Sequence, residues 1–185
     1  MKKILLDCGT HLGEGLSQFV DAYNVTEEWE VYSFEPNPNL WEQHFNQNTY
    51  SNVHYINKAI YTDNSTITFN LAYPNTDASS IFKAHLGTNF EKSVEVECLD
   101  LSKFILDNFS KDDFIVVKLD IEGAEYDVLK KMIKDDSISY INDLYVEFHS
   151  HKDEHAIKEN GESKESTFDL IDQIKKLGIK FTHWV

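Results

Sequence analysis

The sequence predicts a doubly wound α/β domain built on a mostly parallel sheet, and three observations predict it. Short apolar runs alternate with amphipathic stretches, the pattern of repeated strand–helix units. Phe114–Asp120 (FIVVKLD) is an apolar run of the kind buried on both faces of a parallel sheet. A glycine-rich turn follows the first apolar run, where such folds receive their ligands. The 185 residues and 41% hydrophobic content fit one domain over residues 1–185 with a sizeable core.

The elements follow in order. Ile4–Cys8 reads as the first strand, and glycines stand at 9, 13 and 15 after it. Leu12, Leu16, Phe19, Val20 and Tyr23 then recur at helical spacing. Glu30–Glu35 (EVYSFE) is the second strand, ended by Pro36, and Asn39–Gln47 the second helix. Val53–Ile56 is a third strand. Ala59–Tyr61 and Thr66–Ala72 are β-rich and are joined by the turn-like Thr62-Asp63-Asn64-Ser65. Residues 73–93 are polar and aperiodic and read as a loop. Val94–Leu99 is the next strand and Leu101–Phe109 the next helix. After Phe114–Asp120 comes a helix over Ala124–Lys134, with Val128, Leu129, Met132 and Ile133 on one face. Leu144–Phe148 is a fifth main strand. Residues 151–166 hold only Ala156 and Ile157 as apolar side chains and read as an exposed loop or lid. Phe168–Leu177 is a closing helix and Ile179–Trp184 a last strand.

Charge and cysteine usage narrow the partners. There are 32 acids against 17 lysines and no arginine, a net charge of −15. That balance disfavours nucleic acid and anionic membrane surfaces. Without a guanidinium there is no bidentate clamp for a phosphate. Cys8 and Cys98 form neither a disulfide framework nor a zinc motif. The opening apolar run stops at Asp7, short of a signal peptide, and no segment is long enough to insert in a membrane. The expectation is a soluble, cytoplasmic protein.

The first strand ends in Asp7-Cys8-Gly9-Thr10-His11-Leu12-Gly13. Glycines there let the backbone approach a ligand, and the following helix offers unpaired N–H groups. Glu35 ends the second strand, about twenty residues on, where an acid accepts hydrogen bonds from a ribose diol. The spacing is neither GxGxxG nor a P-loop. An acid followed by GxxxG suits a cofactor with an amino-acid moiety and no pyrophosphate, namely S-adenosylmethionine.

With these motifs the chain resembles the FkbM family of class I, Rossmann-like S-adenosylmethionine-dependent methyltransferases. The matching segments are DCGTHLG at Asp7–Gly13, FEPNP at Phe34–Pro38, VKLDIEGAEYDVL at Val117–Leu129 and VEFH at Val146–His149. LDIEGAE is the most specific. The resemblance covers roughly residues 3 to 150. It implies a seven-stranded methyltransferase sheet, and O-methylation of a sugar or other small hydroxylated metabolite. It also implies that Asp7, Gly9 and Gly13 line the methionine end of the cofactor, with Thr10 and His11 in the same loop. Glu35, followed by Pro36, would hold the ribose hydroxyls, Ala59 and Ile60 would sit near the adenine, and Asp120 beside the reactive centre. The family's sheet finishes with a helix and a β-hairpin. Here a single strand precedes Val185, so a shortened C-terminal end is expected.

Moving a methyl group to a hydroxyl needs in-line positioning and a proton acceptor. Asp120, Glu122, Glu147 and His149 are the candidates, all at the carboxyl ends of two strands flanking the crevice. The same groups suit magnesium or manganese better than zinc. A divalent metal is nevertheless not favoured, because Glu122 and Glu125 also suit a helix start on electrostatic grounds. His151 and His155 read as solvated loop residues. Ser79 and Ser80 fall where the family often has small hydroxyls near the acceptor, while Tyr73, Phe82 and Phe90 fit core patching better than a sugar floor. The expected partner is a neutral sugar, glycan or other small hydroxylated acceptor. The rival readings are a non-catalytic S-adenosylmethionine-binding or scaffold protein of the same fold and, against the glycine spacing, a nicotinamide oxidoreductase.

Overall fold

A computed structural model describes residues 1–40, 52–72, 78–82, 90–149 and 163–184, with the backbone alone at 90 and 91. The strands are β1 (Lys3–Cys8), β2 (Trp29–Phe34), β3 (Val53–Ile56), β4 (Ala59–Tyr61), β5 (Thr66–Ala72), β6 (Phe90–Asp100), β7 (Phe114–Leu119), β8 (Asp143–Val146) and β9 (Lys180–His183). The helices are α1 (Glu14–Ala22), the single turn α2 (Pro38–Leu40), α3 (Leu101–Asn108), α4 (Glu125–Lys134) and α5 (Lys164–Lys176), with a 3-10 turn at Ser137–Tyr140.

The central sheet has the order β3-β2-β1-β7-β8-β9, and every pairing in it is parallel. The chain winds outward from β1 to β3, then returns to β7 and winds the other way. β1 and β7 thus flank the switch point, where a crevice opens beyond the strand ends. Alternation along the strands divides the core. Ile4, Leu6, Ile115 and Val117 join the cluster under α3 and α4, whereas Leu5, Val31 and Val116 meet Leu16 and Phe19 of α1. All seven strand residues are fully buried, each contributing about 1.5–3 kcal/mol by burial.

Local chemistry sets the helix ends. α1 starts at Gly13, which takes φ 90° and offers no side-chain cap, and Asn24 just past its end has φ 49°. α4 carries Glu125 and Asp127 in its first turn and Lys131 and Lys134 in its last, each sign at the favourable pole of the helix dipole.

The sheet has six strands among the described residues, and α5 leads to a single parallel edge strand, as expected, in place of the hairpin the resemblance implies. Other expectations change. The turn at 62–65 makes no hairpin either. β4 and β5 lie on opposite sides of β6, the first parallel and the second antiparallel to it, in a small separate sheet. β6 begins at Phe90, not Val94, because Phe90, Lys92 and Ser93 still pair with the end of β5, and Ser93 donates its hydroxyl proton to Asn70. The closing helix starts at Lys164, since Ser163 and Ser166 form a reciprocal capping box within what reads as loop. The rest of the expected lid, 151–162, and most of the second helix, 41–47, lie outside the described residues. Among the described residues no helix is long and apolar enough to cross a membrane.

Candidate functional site

The loop after β1 is fixed by its glycine. Gly9 has φ 81°, and a Cβ there would stand 1.7 Å from the carbonyl oxygen of Asp120, so the loop lies directly on the end of β7. The N–H groups of Gly9 and Thr10 both donate to the Phe34 carbonyl at 3.0 Å, which ties the loop to the end of β2 as well. The Thr10 hydroxyl donates to Asp7 Oδ2 at 2.7 Å and lies 2.5 Å from the Ser33 hydroxyl.

Glu35 closes this side. Its Oε2 accepts the His11 N–H and its Oε1 the Asn37 N–H, each at 2.8 Å. The carboxyl is 6% exposed, and burial pushes its pKa up to about 7 against the lowering effect of the two amides. His11 holds φ 52° to aim its amide, so this contact belongs to the backbone rather than the imidazole.

Beyond β7 the chain makes a tight turn with Glu122 at φ 55° and Gly123 at φ 109°. Glu125, fully buried, fastens it: Oε1 accepts the Ile121 N–H at 2.9 Å, and Gly123 N–H reaches both carboxylate oxygens at 3.1 and 3.2 Å. The Ser80 hydroxyl donates to the Glu122 carbonyl at 2.5 Å, bringing the small sheet onto the turn. β8 stops at Val146, so Glu147 and His149 stand just past its end. His149 is only 4% exposed. Its Nδ1 lies 2.9 Å from Glu125 Oε1, and its Nε2 lies 3.4 to 3.7 Å from carboxylate oxygens of Glu122, Glu147 and Asp120. Burial opposes the imidazolium, but Glu125 and then Glu122 and Asp120 outweigh it and raise the pKa to about 9. Asp120 moves up from the usual carboxylate range because burial outweighs the attraction of Lys118 and His149.

These groups surround one cavity of about 320 Å³, within the ~300–1,000 Å³ of small-molecule sites. Of the residues singled out from sequence, Gly9, Thr10, His11, Glu35, Pro36, Ala59 and Ile60 line it. Asp120, Glu122, Glu147 and His149 line it as well, and Ser79 also reaches it. Asp7 and Gly13 do not line it. Asp7 is fully buried beneath the loop and acts on Thr10 and Lys118, and Gly13 serves as the start of α1. His151, His155, Tyr73 and the side chain of Phe90 lie outside the described residues.

Sequence reasoning passed over Lys118, Trp184 and Gln18, which line the cavity, and gave Glu125 only a helix-start role. A lysine inside an apolar strand run was the available signal for the first, since a buried charge requires partners. Asp120, Glu122 and His149 hold ligand atoms within 4.8 Å of one another and could take a divalent ion. A carboxylate behind a ligating histidine, as Glu125 stands behind His149, is the usual support for such a ligand.

Compared with known proteins, residues 7–181 match the family model described as methyltransferase FkbM domain. No curated protein and no solved structure matches the chain.

Proposed function

This chain belongs to the FkbM methyltransferase family, and from that premise we propose that it binds S-adenosylmethionine in the β1–β7 crevice and methylates a hydroxyl of a sugar or other small metabolite. The observation that carries the reading is one cavity lined both by the buried carboxyl of Glu35 and by the Asp120–Glu122–Glu147–His149 cluster. The residues fit the cofactor. Each oxygen of Glu35 accepts one amide and keeps a lone pair for a ribose hydroxyl. Ala59 and Ile60 give an apolar wall suited to a purine, and the start of α1 offers amide groups to a carboxylate.

Held by the glycine loop, Glu35, Ala59 and Ile60, S-adenosylmethionine would supply an electrophilic methyl group on a sulfonium. The protein's part is to orient, to shield and to take a proton. Asp120, Glu122 and Glu147 face the acceptor side, and one of them accepts the hydroxyl proton. His149 carries its charge at neutral pH and serves as their counter-ion, held in place by Glu125. With this many carboxylates and no arginine, a neutral acceptor suits the site better than a phosphorylated one.

Calorimetry with S-adenosylmethionine tests the first half. The intact chain binds it with 1:1 stoichiometry, and absence of binding sinks the reading. Incubation with labelled cofactor and a panel of neutral sugars tests the second half. Cofactor binding without turnover on any of them would favour a binding or scaffold role.

A further inference from the structure

Lys118 on β7 pairs in register with Asp7 on β1, so the two side chains leave the sheet on the same face. The lysine is 3% exposed. Its stem runs beneath the first turn of α1, where a Cβ at Gly15 would come within 3.4 Å of Lys118 Cε. Its ammonium donates to the Gly9 carbonyl at 2.6 Å and lies 3.1 Å from Asp120 Oδ2 and 3.5 Å from Asp7 Oδ1. That Asp7 oxygen has no hydrogen-bond donor among the described residues, so the ammonium meets its charge by ion pairing. Glycine loop, helix start and reactive-side carboxylate thus converge on one buried cation. Two carboxylates and a carbonyl oxygen within 3.5 Å give that buried cation its partners.

We propose that Lys118 is a positioning residue that also sets the charge the cofactor meets, holding Gly9 and Asp120 in place while lowering the site's preference for a sulfonium over a neutral thioether. The inference rests on the S-adenosylmethionine reading above. S-adenosylmethionine and S-adenosylhomocysteine differ by one methyl group and one positive charge, so their relative affinity reads the charge of the site without any acceptor. Asp7, Asp120, Glu122 and Glu147 all favour the cation. A fixed ammonium bound to two of them moderates that preference, which lets substrate and product exchange.

The test is calorimetry of both ligands on the full chain, comparing wild type with Lys118→Met, Asp120→Asn and the double variant. Lys118→Met keeps the stem and removes the charge. It weakens S-adenosylhomocysteine about tenfold through the loosened loop, and S-adenosylmethionine less, because a nearby repulsion has gone. The ratio of the two dissociation constants therefore shifts about fivefold toward the sulfonium, the order expected of one unit charge several ångströms away. Asp120→Asn shifts it the opposite way, and the double variant returns to within about twofold of wild type. If Lys118→Met does not fold, adding it to Asp120→Asn carries the same test, since the double variant leaves fewer buried charges unpaired. Equal weakening of both ligands, or no weakening, overturns the inference and leaves Lys118 a packing role. Failure of the wild type to bind either ligand overturns the cofactor reading and this inference with it.

Discussion

Glu35 and Glu125 are both buried glutamates that accept backbone amides, and yet their carboxyls shift in opposite directions. Glu35 receives one N–H on each oxygen and is still driven up to about 7, because burial prevails. Glu125 is the more deeply buried, and burial pushes it up too, but the His149 imidazolium brings it below its ordinary value. Amide hydrogen bonds soften the burial of a carboxylate, whereas a full opposite charge at 2.9 Å reverses it. The difference suits their places. Glu35 keeps lone pairs and an unsettled charge for a ligand to stabilise. Glu125 is already satisfied and supports other groups.

The largest expected effect removes the satisfied partner. Glu125→Ala leaves a buried imidazole facing an unfastened turn and costs about 3–5 kcal/mol in urea unfolding near neutral pH. A loss no greater than that of a surface substitution would dissolve the contrast between the two acids.

Next is the pH dependence of that pair. The folded pKa of His149 lies above the ordinary 6.5, so its contribution is fully present below about 6.5 and is lost as pH rises through about 9. The difference in stability between wild type and His149→Gln should therefore shrink by about 3 kcal/mol across that window. Glu125 contributes with the opposite sense, present above its unfolded pKa and lost on acidification. A difference that stays level from pH 6 to 10 would mean the imidazole is not charged in the fold.

Glu35 gives a smaller effect, and on binding rather than folding. Glu35→Ala weakens S-adenosylmethionine by about 1.5–3 kcal/mol, the range for hydrogen bonds to a charged group. In the wild type the affinity improves as pH rises through about 7, because only the ionised carboxylate accepts both hydroxyls. Calorimetry at pH 6 and 8 checks the direction, and Glu35→Gln flattens it. The smallest effect is at His11, whose amide rather than ring serves Glu35. His11→Asn tolerates the positive φ and changes cofactor affinity by less than about threefold. A larger change would put the imidazole in contact with the cofactor.

The glycine loop and the strand-end positions of Glu35 and Asp120 were legible because each is a local pattern of residue type and spacing. Gly9 is one such case, where even a Cβ would strike Asp120. Lys118 and Glu125 were not legible in their roles. The first is defined by carboxylates at Asp7 and Asp120 brought together by sheet register, the second by a histidine 24 residues away. The start of β6 at Phe90 was hidden for a related reason, since the polar residues 91–93 interrupt the apolar alternation and the strand there is recognised only by its partner on β5.

The sequence by itself determined the order of strands and helices, the turns that only glycine can make and an acidic protein without arginine. It also placed the carboxylates at the ends of strands. The tertiary structure alone decided which of those acids lies under the loop, which opens to the cavity and which is neutralised by Lys118 or His149. The charge of a buried carboxylate depends on its distance from a cation and on its removal from water. Both are fixed only when strands far apart in sequence lie side by side.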